Sequence, residues 1–354
     1  MKILIKNIKK LVQVEFSDAA NGQPYGVRRR AGAQMSQLKS IDDAYLLIED
    51  EKIAQFGTMS SFAIEEQEES GIFKADTVID ATGKMVFPSF CDSHTHLVYA
   101  GSREGEFFDK INGLSYIEIA KRGGGILNSS RLLHDTSEEE LYRTSAQRVN
   151  EIISKGTGAV EIKSGYGLNL EDELKMLRVI RRISKEMPLT VKATLLGAHA
   201  IPERYNGDSQ AYANEVINEM IPVVAAEGLA SFADVFCEKG FFTEEDTDRI
   251  LNAAVKYGLR PKVHANQLSF SGGIEKGVKY NAISVDHLEY TSQREIDILS
   301  GSDTMPTLLP GSTFFMEMDY PPARQMISAG LPLAIASNYN PGSSPSGDIR
   351  FMMF

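Results

Sequence analysis

A chain of 354 residues, 42% apolar and 24% charged, has an ordinary globular composition and is long enough for one large barrel or doubly wound domain beside a smaller companion, which excludes a small stapled scaffold. Its 37 Lys and Arg against 48 Asp and Glu leave a net charge of -11, the wrong sign for gripping nucleic acid or an anionic membrane surface through the overall field. Two cysteines, Cys91 and Cys237, neither in a CxxC, argue for a reducing cytoplasm and against a disulfide framework or thiolate metal site, and no apolar run reaches the roughly 18 residues of a spanning helix.

The N-terminal MKILIKNIKKLVQVEF alternates apolar residues with Lys and Asn and has no continuous apolar core, so it reads as a strand rather than a secretory leader. Residues 1–88 carry short strand-like runs at 3–7, 45–50, 52–57 and 77–87 and predict a small β-rich domain. The segment from Ser17 to Ser40, with arginines at 28–30, shows neither period and reads as a long loop.

From residue 89 to residue 354 the pattern changes to short apolar runs alternating with helices that carry their own start signals. Ser137 with Glu140, Thr243 with Asp246 and Ser292 with Glu295 have the spacing of an N-cap and its third helical residue. Strand candidates fall at 90–94, 159–164, 190–199, 232–238, 259–266, 281–287, 304–310 and 331–338. Eight unalternating apolar strands with helices between them predict an α/β fold, a closed (β/α)₈ barrel rather than an open sheet. The connection after the first of these strands, about 65 residues with a flexible GGGI at 123–126, reads as a lid at the barrel mouth.

Five of the six histidines fall at or just past the C-terminal end of a barrel strand: His94 and His96, His199, His264 and His287. That rim is where barrel enzymes carry their sites. His134 lies apart, in a polar stretch that predicts a solvated role. Alternate residues of an extended strand point the same way, so His94 and His96 can converge on one cation, with His264 as a distant third nitrogen. An open catalytic Zn²⁺ or Fe²⁺ site usually takes one more ligand, and a carboxylate is expected at the end of the last strand. The sequence there has Asn338. The two cysteines read as small buried hydrophobes.

At this point the stretches FPSFCDSHTHLVYAGSREGEF, GGGI, EIKSGYGL, LLGAHAIP, VFCEKGFF, KVHANQL, VDHLEY, LLPGSTFF and NPGSSPSGD, spread from Phe87 to Asp348, resemble the amidohydrolase superfamily and, within it, the imidazolonepropionase family. HxH occurs across the superfamily, whereas THLVYAGSRE, EIKSGYGL and NPGSSPS are specific to this member. The resemblance implies a metal-dependent (β/α)₈ barrel beside a small β-sandwich, one Zn²⁺ or Fe³⁺ per chain, and a cytoplasmic homodimer. The substrate it implies is a small imidazolone carboxylate, hydrolysed at its cyclic amide in histidine degradation, with no nucleic acid or membrane partner.

Carried over by motif, His94, His96 and His264 are the implied metal ligands, with Asn338 at the position of the usual aspartate. Arg103, Tyr166 and His199 are implied substrate contacts, and Asn340, Gly342 and Ser343 complete the pocket. Gln267 is implied to hydrogen-bond the imidazolone ring, and His287 to sit beside the attacking water. Arginine's planar fork suits a carboxylate tail, although an ion pair with Glu104 or Glu106 would also explain Arg103. Asn338 offers an amide oxygen without charge or proton-acceptor capacity, so metal affinity and base catalysis are expected to suffer. The resemblance also implies a last barrel helix and returning strands of the small domain beyond Phe354, with the apolar IRFMMF facing solvent or a partner. Two other readings remain open: an amidohydrolase acting on a different cyclic amide or amidine, and a catalytically impaired homologue that keeps the pocket.

Overall fold

A computed structural model describes residues 1–12, 29–68, 74–114, 118–119 and 122–354. The chain divides into two compact units, Met1–Ser89 and Phe90–Phe354.

In the first unit, β1 (Lys2–Val12), β2 (Ser40–Glu49), β3 (Lys52–Thr58), β4 (Thr77–Asp80) and β5 (Met85–Val86) form one mixed sheet. β1 pairs antiparallel with β2 and parallel with both β4 and β5. The period of two decides the packing: Ala44 and Leu46 join Ile8 and Leu11, while Tyr45 and Leu47 join Leu4 and pack against Phe62 of the helix Met59–Glu68. The sheet fits a small β-sandwich domain. Of the loop expected over 17–40, residues 17–28 lie outside the described residues, and Gly32–Ser36 forms a short 3₁₀ turn.

The second unit is a parallel barrel. Its strands are β6 (Phe90–Thr95), β7 (Thr157–Lys163), β8 (Thr190–Ala198), β9 (Phe232–Cys237), the interrupted β10 (Arg260–Pro261) and β11 (Val263–Ala265), β12 (Ser284–His287), β13 (Met305–Leu308) and β14 (Ala334–Ile335). Each pairs in parallel with its sequence neighbour. Thr95 and Tyr339 form the parallel bridge between the first and last strands, flanked by hydrogen bonds from Asn338 N–H to His94 O (3.0 Å) and from His96 N–H to Tyr339 O (2.9 Å). One large cluster of buried residues, including Val160, Ile162, Leu195, Val235, Val263 and Val285, spans the strands and their covering helices.

The helix starts follow from capping chemistry. Ser137 accepts from Glu140 N–H, while Thr243 with Asp246 and Ser292 with Glu295 make reciprocal capping boxes. The connection after β6 is mostly helical, with Glu104–Ile111, Gly125–Asp135 and Glu138–Ser154. The GGGI stretch is therefore not a free flap: Gly125 is buried, opens a helix, and gives its N–H to Glu106 Oε1 at 2.8 Å. Residues 115–117 and 120–121 of this connection lie outside the described residues. Cys237 is buried but Cys91 is exposed, because Asp92 and His94 take the inward positions of β6 and turn Cys91 outward.

Candidate metal centre and substrate cleft

The C-terminal ends of the barrel strands surround a small cleft. His96, Arg103, Tyr166, His199, His264, Gln267, His287, Asn338, Asn340 and Ser343 line it, together with Ile126 and Phe236. Of the residues expected at the site, His94 and Gly342 are not part of this lining.

His94 and His96 follow from β6 and His264 from β11, and their ligating nitrogens lie within 4.8 Å of one another. His96 Nε2 sits 3.2 Å from His94 Nε2 and 3.3 Å from His264 Nε2. Burial drives all three imidazoles toward the neutral form, reinforced by Lys163 and the neighbouring histidines. The outer nitrogens of His94 and His264 each face a buried carboxylate. His94 Nδ1 donates to Asp286 Oδ2 at 2.6 Å, and His264 Nδ1 lies 3.0 Å from Asp234 Oδ2, off hydrogen-bond alignment. With Nδ1 of His94 so engaged, its Nε2 is the unprotonated nitrogen, and His264 Nε2 is turned toward the same group of nitrogens. Three neutral imidazoles meeting nitrogen to nitrogen fit a cation between them.

Asn338 adds an oxygen. Its Oδ1 is buried and has no hydrogen-bond partner, and its backbone stands at φ 54°, a left-handed conformation that Asn tolerates. Asp92 secures this strand end: its carboxylate, pushed up to about 6 by burial, accepts from the N–H (3.0 Å) and hydroxyl (2.5 Å) of Ser337.

Around the centre, each candidate substrate contact is braced by a neighbour. Arg103 donates through Nε (2.9 Å) and Nη2 (2.7 Å) to Glu106 Oε2. Both residues are buried, so the ion pair anticipated as an alternative is present, while Arg103 also lines the cleft. Tyr166 sits in a turn held by Glu173, whose buried carboxylate accepts from the N–H groups of Gly165, Gly167 and Leu168 at 2.8 to 3.0 Å. His199 donates through Nδ1 to Gly165 O (2.8 Å) and stacks on His96, and burial lowers its pKa to about 3, leaving Nε2 as an acceptor. Gln267 immediately precedes a segment tied to Glu238, which accepts from Leu268 N–H and Ser269 Oγ.

His287 and Leu288 both have positive φ, 90° and 71°, a strained pair that turns the imidazole into the cleft. Its Nδ1 is 3.7 Å from Glu289 Oε1. The NPGSS turn is self-supporting: Asn340 Oδ1 accepts from Gly342 and Ser343 N–H, and its Nδ2 donates to Asn338 O and Ser343 Oγ. Gly342 is wedged against the Arg103 guanidinium, and its carbonyl accepts from Lys110, whose pKa burial lowers to about 8. His134 stays outside the site, largely exposed, with Nδ1 2.8 Å from Asp172 Oδ2.

Sequence reasoning missed Asp234, Asp286 and Glu173. Asp286 carried a faint signal, preceding a rim histidine directly; the others lie on a strand or helix with nothing local to mark them.

The chain matches no protein-family model. It is 52% identical over 353 residues to an imidazolonepropionase of Christiangramia forsetii and 50% identical over 353 residues to one of Flavobacterium johnsoniae, in each case covering all of this chain and 82% of the relative. An imidazolonepropionase of Thermoanaerobacter pseudethanolicus is 39% identical over 351 residues, 99% of this chain and 80% of its own. Among solved structures, the zinc complex of an atrazine chlorohydrolase from Arthrobacter aurescens TC1 has a TM-score of 0.64 at 13% identity, covering 98% of this chain and 74% of that one. A guanine deaminase from C. acetobutylicum has a TM-score of 0.62 at 14% identity, covering 97% and 76%. Similarity at that level establishes the barrel fold.

Proposed function

This chain belongs to the imidazolonepropionase family of the amidohydrolase superfamily, and from that premise we propose that it opens the cyclic amide of 4-imidazolone-5-propanoate to N-formimidoyl-L-glutamate, with its rim residues in the roles set out below. The observation that carries the reading is the convergence of three neutral imidazoles at the base of a cleft that also holds a buried arginine fork.

His94, His96 and His264 hold the metal, and Asn338 Oδ1 is placed to join them. A bound Zn²⁺ or iron ion supplies Lewis acidity, lowering the pKa of water toward about 7 and polarising a ring carbonyl. One ion per chain suits a single set of converging nitrogens.

Arg103 takes the propanoate through its fork, and Glu106 keeps that fork from swinging. Tyr166 and Ser343 close on the same end of the substrate, and Asn340 and Gly342 shape the turn that presents Ser343. His199 accepts a ring N–H at Nε2, because Nδ1 is committed to Gly165 O. Gln267 hydrogen-bonds the ring and so turns its carbonyl toward the histidines. His287 takes the proton of the attacking water at Nε2, since Nδ1 faces Glu289, and returns it to the departing ring nitrogen. Asn338 cannot share that proton transfer, so His287 acts without a carboxylate partner.

No described helix is long and apolar enough to cross a membrane. The proposal places the protein in the cytoplasm as a homodimer acting on a small molecule.

The test is elemental analysis of the purified protein with imidazolone propanoate hydrolysis followed on the same sample. Stoichiometric Zn or Fe and turnover that chelation abolishes are expected. Turnover that survives complete metal removal would overturn the reading.

A further inference from the structure

Beneath the three histidines lies a buried charge cluster with no counterpart in the roles above. Lys163, at the end of β7, is fully buried. Its Nζ lies 2.9 Å from Glu161 Oε1, 2.8 Å from Asp234 Oδ2 and 4.0 Å from Asp286 Oδ2. Burial opposes its charge, but the carboxylates of Asp234, Glu161 and Asp286 outweigh burial and hold it protonated. A paired buried ammonium is tolerated; the location of its partners carries the information.

The two oxygens that face Lys163 from β9 and β12 are the same oxygens that face the metal histidines. Asp286 Oδ2 is on His94 Nδ1 at 2.6 Å, and Asp234 Oδ2 is 3.0 Å from His264 Nδ1. One nitrogen is thus the common neighbour of both carboxylates that orient the ligand pair across the barrel. The arms are unequal. Asp286 has a second cation, Lys262, at 3.2 Å, itself fixed to Ser93 O and Ser284 Oγ. Lys163 is the lysine on Asp234, whose other oxygen accepts from the backbone N–H groups of Val235 and His264.

We propose that Lys163 is a positioning residue for the metal site: by holding Asp234 and Asp286 together it sets the placement of His264 and His94, so metal affinity depends on a lysine that touches neither metal nor substrate. This rests on the assignment of the three histidines as ligands. The His264 arm is the more dependent, since Lys262 continues to hold Asp286 when Lys163 is gone.

The test compares the wild-type chain with Lys163→Met and with the charge-balanced double variant Lys163→Met/Glu161→Gln. Zn²⁺ affinity is measured by chelator competition and the ligand field by the visible spectrum of the Co²⁺-loaded protein. On the scale typical of groups that orient metal ligands, affinity is expected to fall about 10- to 100-fold in both variants, with a changed Co²⁺ spectrum and an unchanged far-ultraviolet circular dichroism spectrum. Affinity within twofold of wild type and an unchanged Co²⁺ spectrum overturn the proposal. A double variant that does not fold also overturns it, because Lys163 would then support the barrel rather than the ligands. A wild-type chain that binds neither ion sinks the ligand assignment itself, a different failure.

Discussion

Gly342 packs so tightly on Arg103 that a Cβ at this position would overlap the guanidinium. The glycine is therefore part of how the arginine is aimed. Gly342→Ala should displace the fork while leaving the barrel intact. A charge-assisted pair of bonds is worth roughly 1.5 to 3 kcal/mol, so KM for the propanoate substrate should rise about 10- to 100-fold, with a smaller change in kcat. Steady-state kinetics beside a circular dichroism spectrum check this; an unchanged KM would remove Arg103 from carboxylate binding.

Arg103→Lys tests the fork itself. A lysine keeps the charge but cannot make the paired Nε and Nη2 bonds to Glu106. KM should rise by about tenfold or more, and Glu106→Gln should give a weaker change in the same direction because the guanidinium stays but loses its brace. Comparing the substrate with an analogue lacking the carboxylate separates the cases: both variants should treat the analogue as the wild type does.

Asn338 is the one rim position where a carboxylate is expected and an amide stands. Restoring the charge with Asn338→Asp should tighten metal binding and raise kcat, by on the order of 10²-fold if the new carboxylate shares proton transfer with His287. Turnover assays at saturating metal decide it, and equal kcat values would show that His287 suffices alone.

The carboxylate of Asp92 and the amide and hydroxyl of Ser337 hold the last strand against the first. Ser337→Ala leaves Asp92 Oδ2 buried without that hydroxyl. Unfolding free energy should fall by about 1 to 3 kcal/mol, measured by denaturant titration, and metal occupancy should fall with it because Asn338 is the next residue. A variant of unchanged stability would show that backbone bonding alone closes the barrel.

His134 gives a pH signature away from the site. Its hydrogen bond to Asp172 raises its pKa in the folded state. The stabilisation is therefore complete below the unfolded value of about 6.5 and disappears as pH rises through the higher folded value. The effect is small, since the imidazole is solvated. In thermal melts of the wild type and His134→Ala across that window, the difference in midpoint should shrink as pH rises; a constant difference would mean that packing rather than charge is responsible.

The barrel was legible in the sequence because each of its strands is a short apolar run and because period, caps and breaks agree along the chain. The convergence of His94, His96 and His264 was legible because strand ends and rim positions coincide. The last strand was the least faithful: residues 331–338 were expected and only Ala334–Ile335 pair regularly, because Asp92 and the backbone of His94 take over the bonding of Ser337 and Asn338. Lys163 and Asp234 are 71 residues apart, so no local pattern could join them. The same holds for Glu173, an ordinary helical glutamate until its helix docks beneath the Tyr166 turn. The freedom expected of GGGI failed for a related reason, since its anchor Glu106 lies 19 residues earlier on another helix.

The bridge between Thr95 and Tyr339 has a consequence for the order of folding. Asp92 and Ser337 are 245 residues apart, whereas His94 and His96 are neighbours from the start and His264 lies 168 residues from His96. Closing so long a loop costs entropy that only the finished barrel repays. On the ribosome, the histidines emerge well before the segment carrying Asn338, Asn340 and Ser343. The cleft is thus completed by the final seam of the barrel, and a growing chain that has already made all three histidines still lacks the residues that finish its lining.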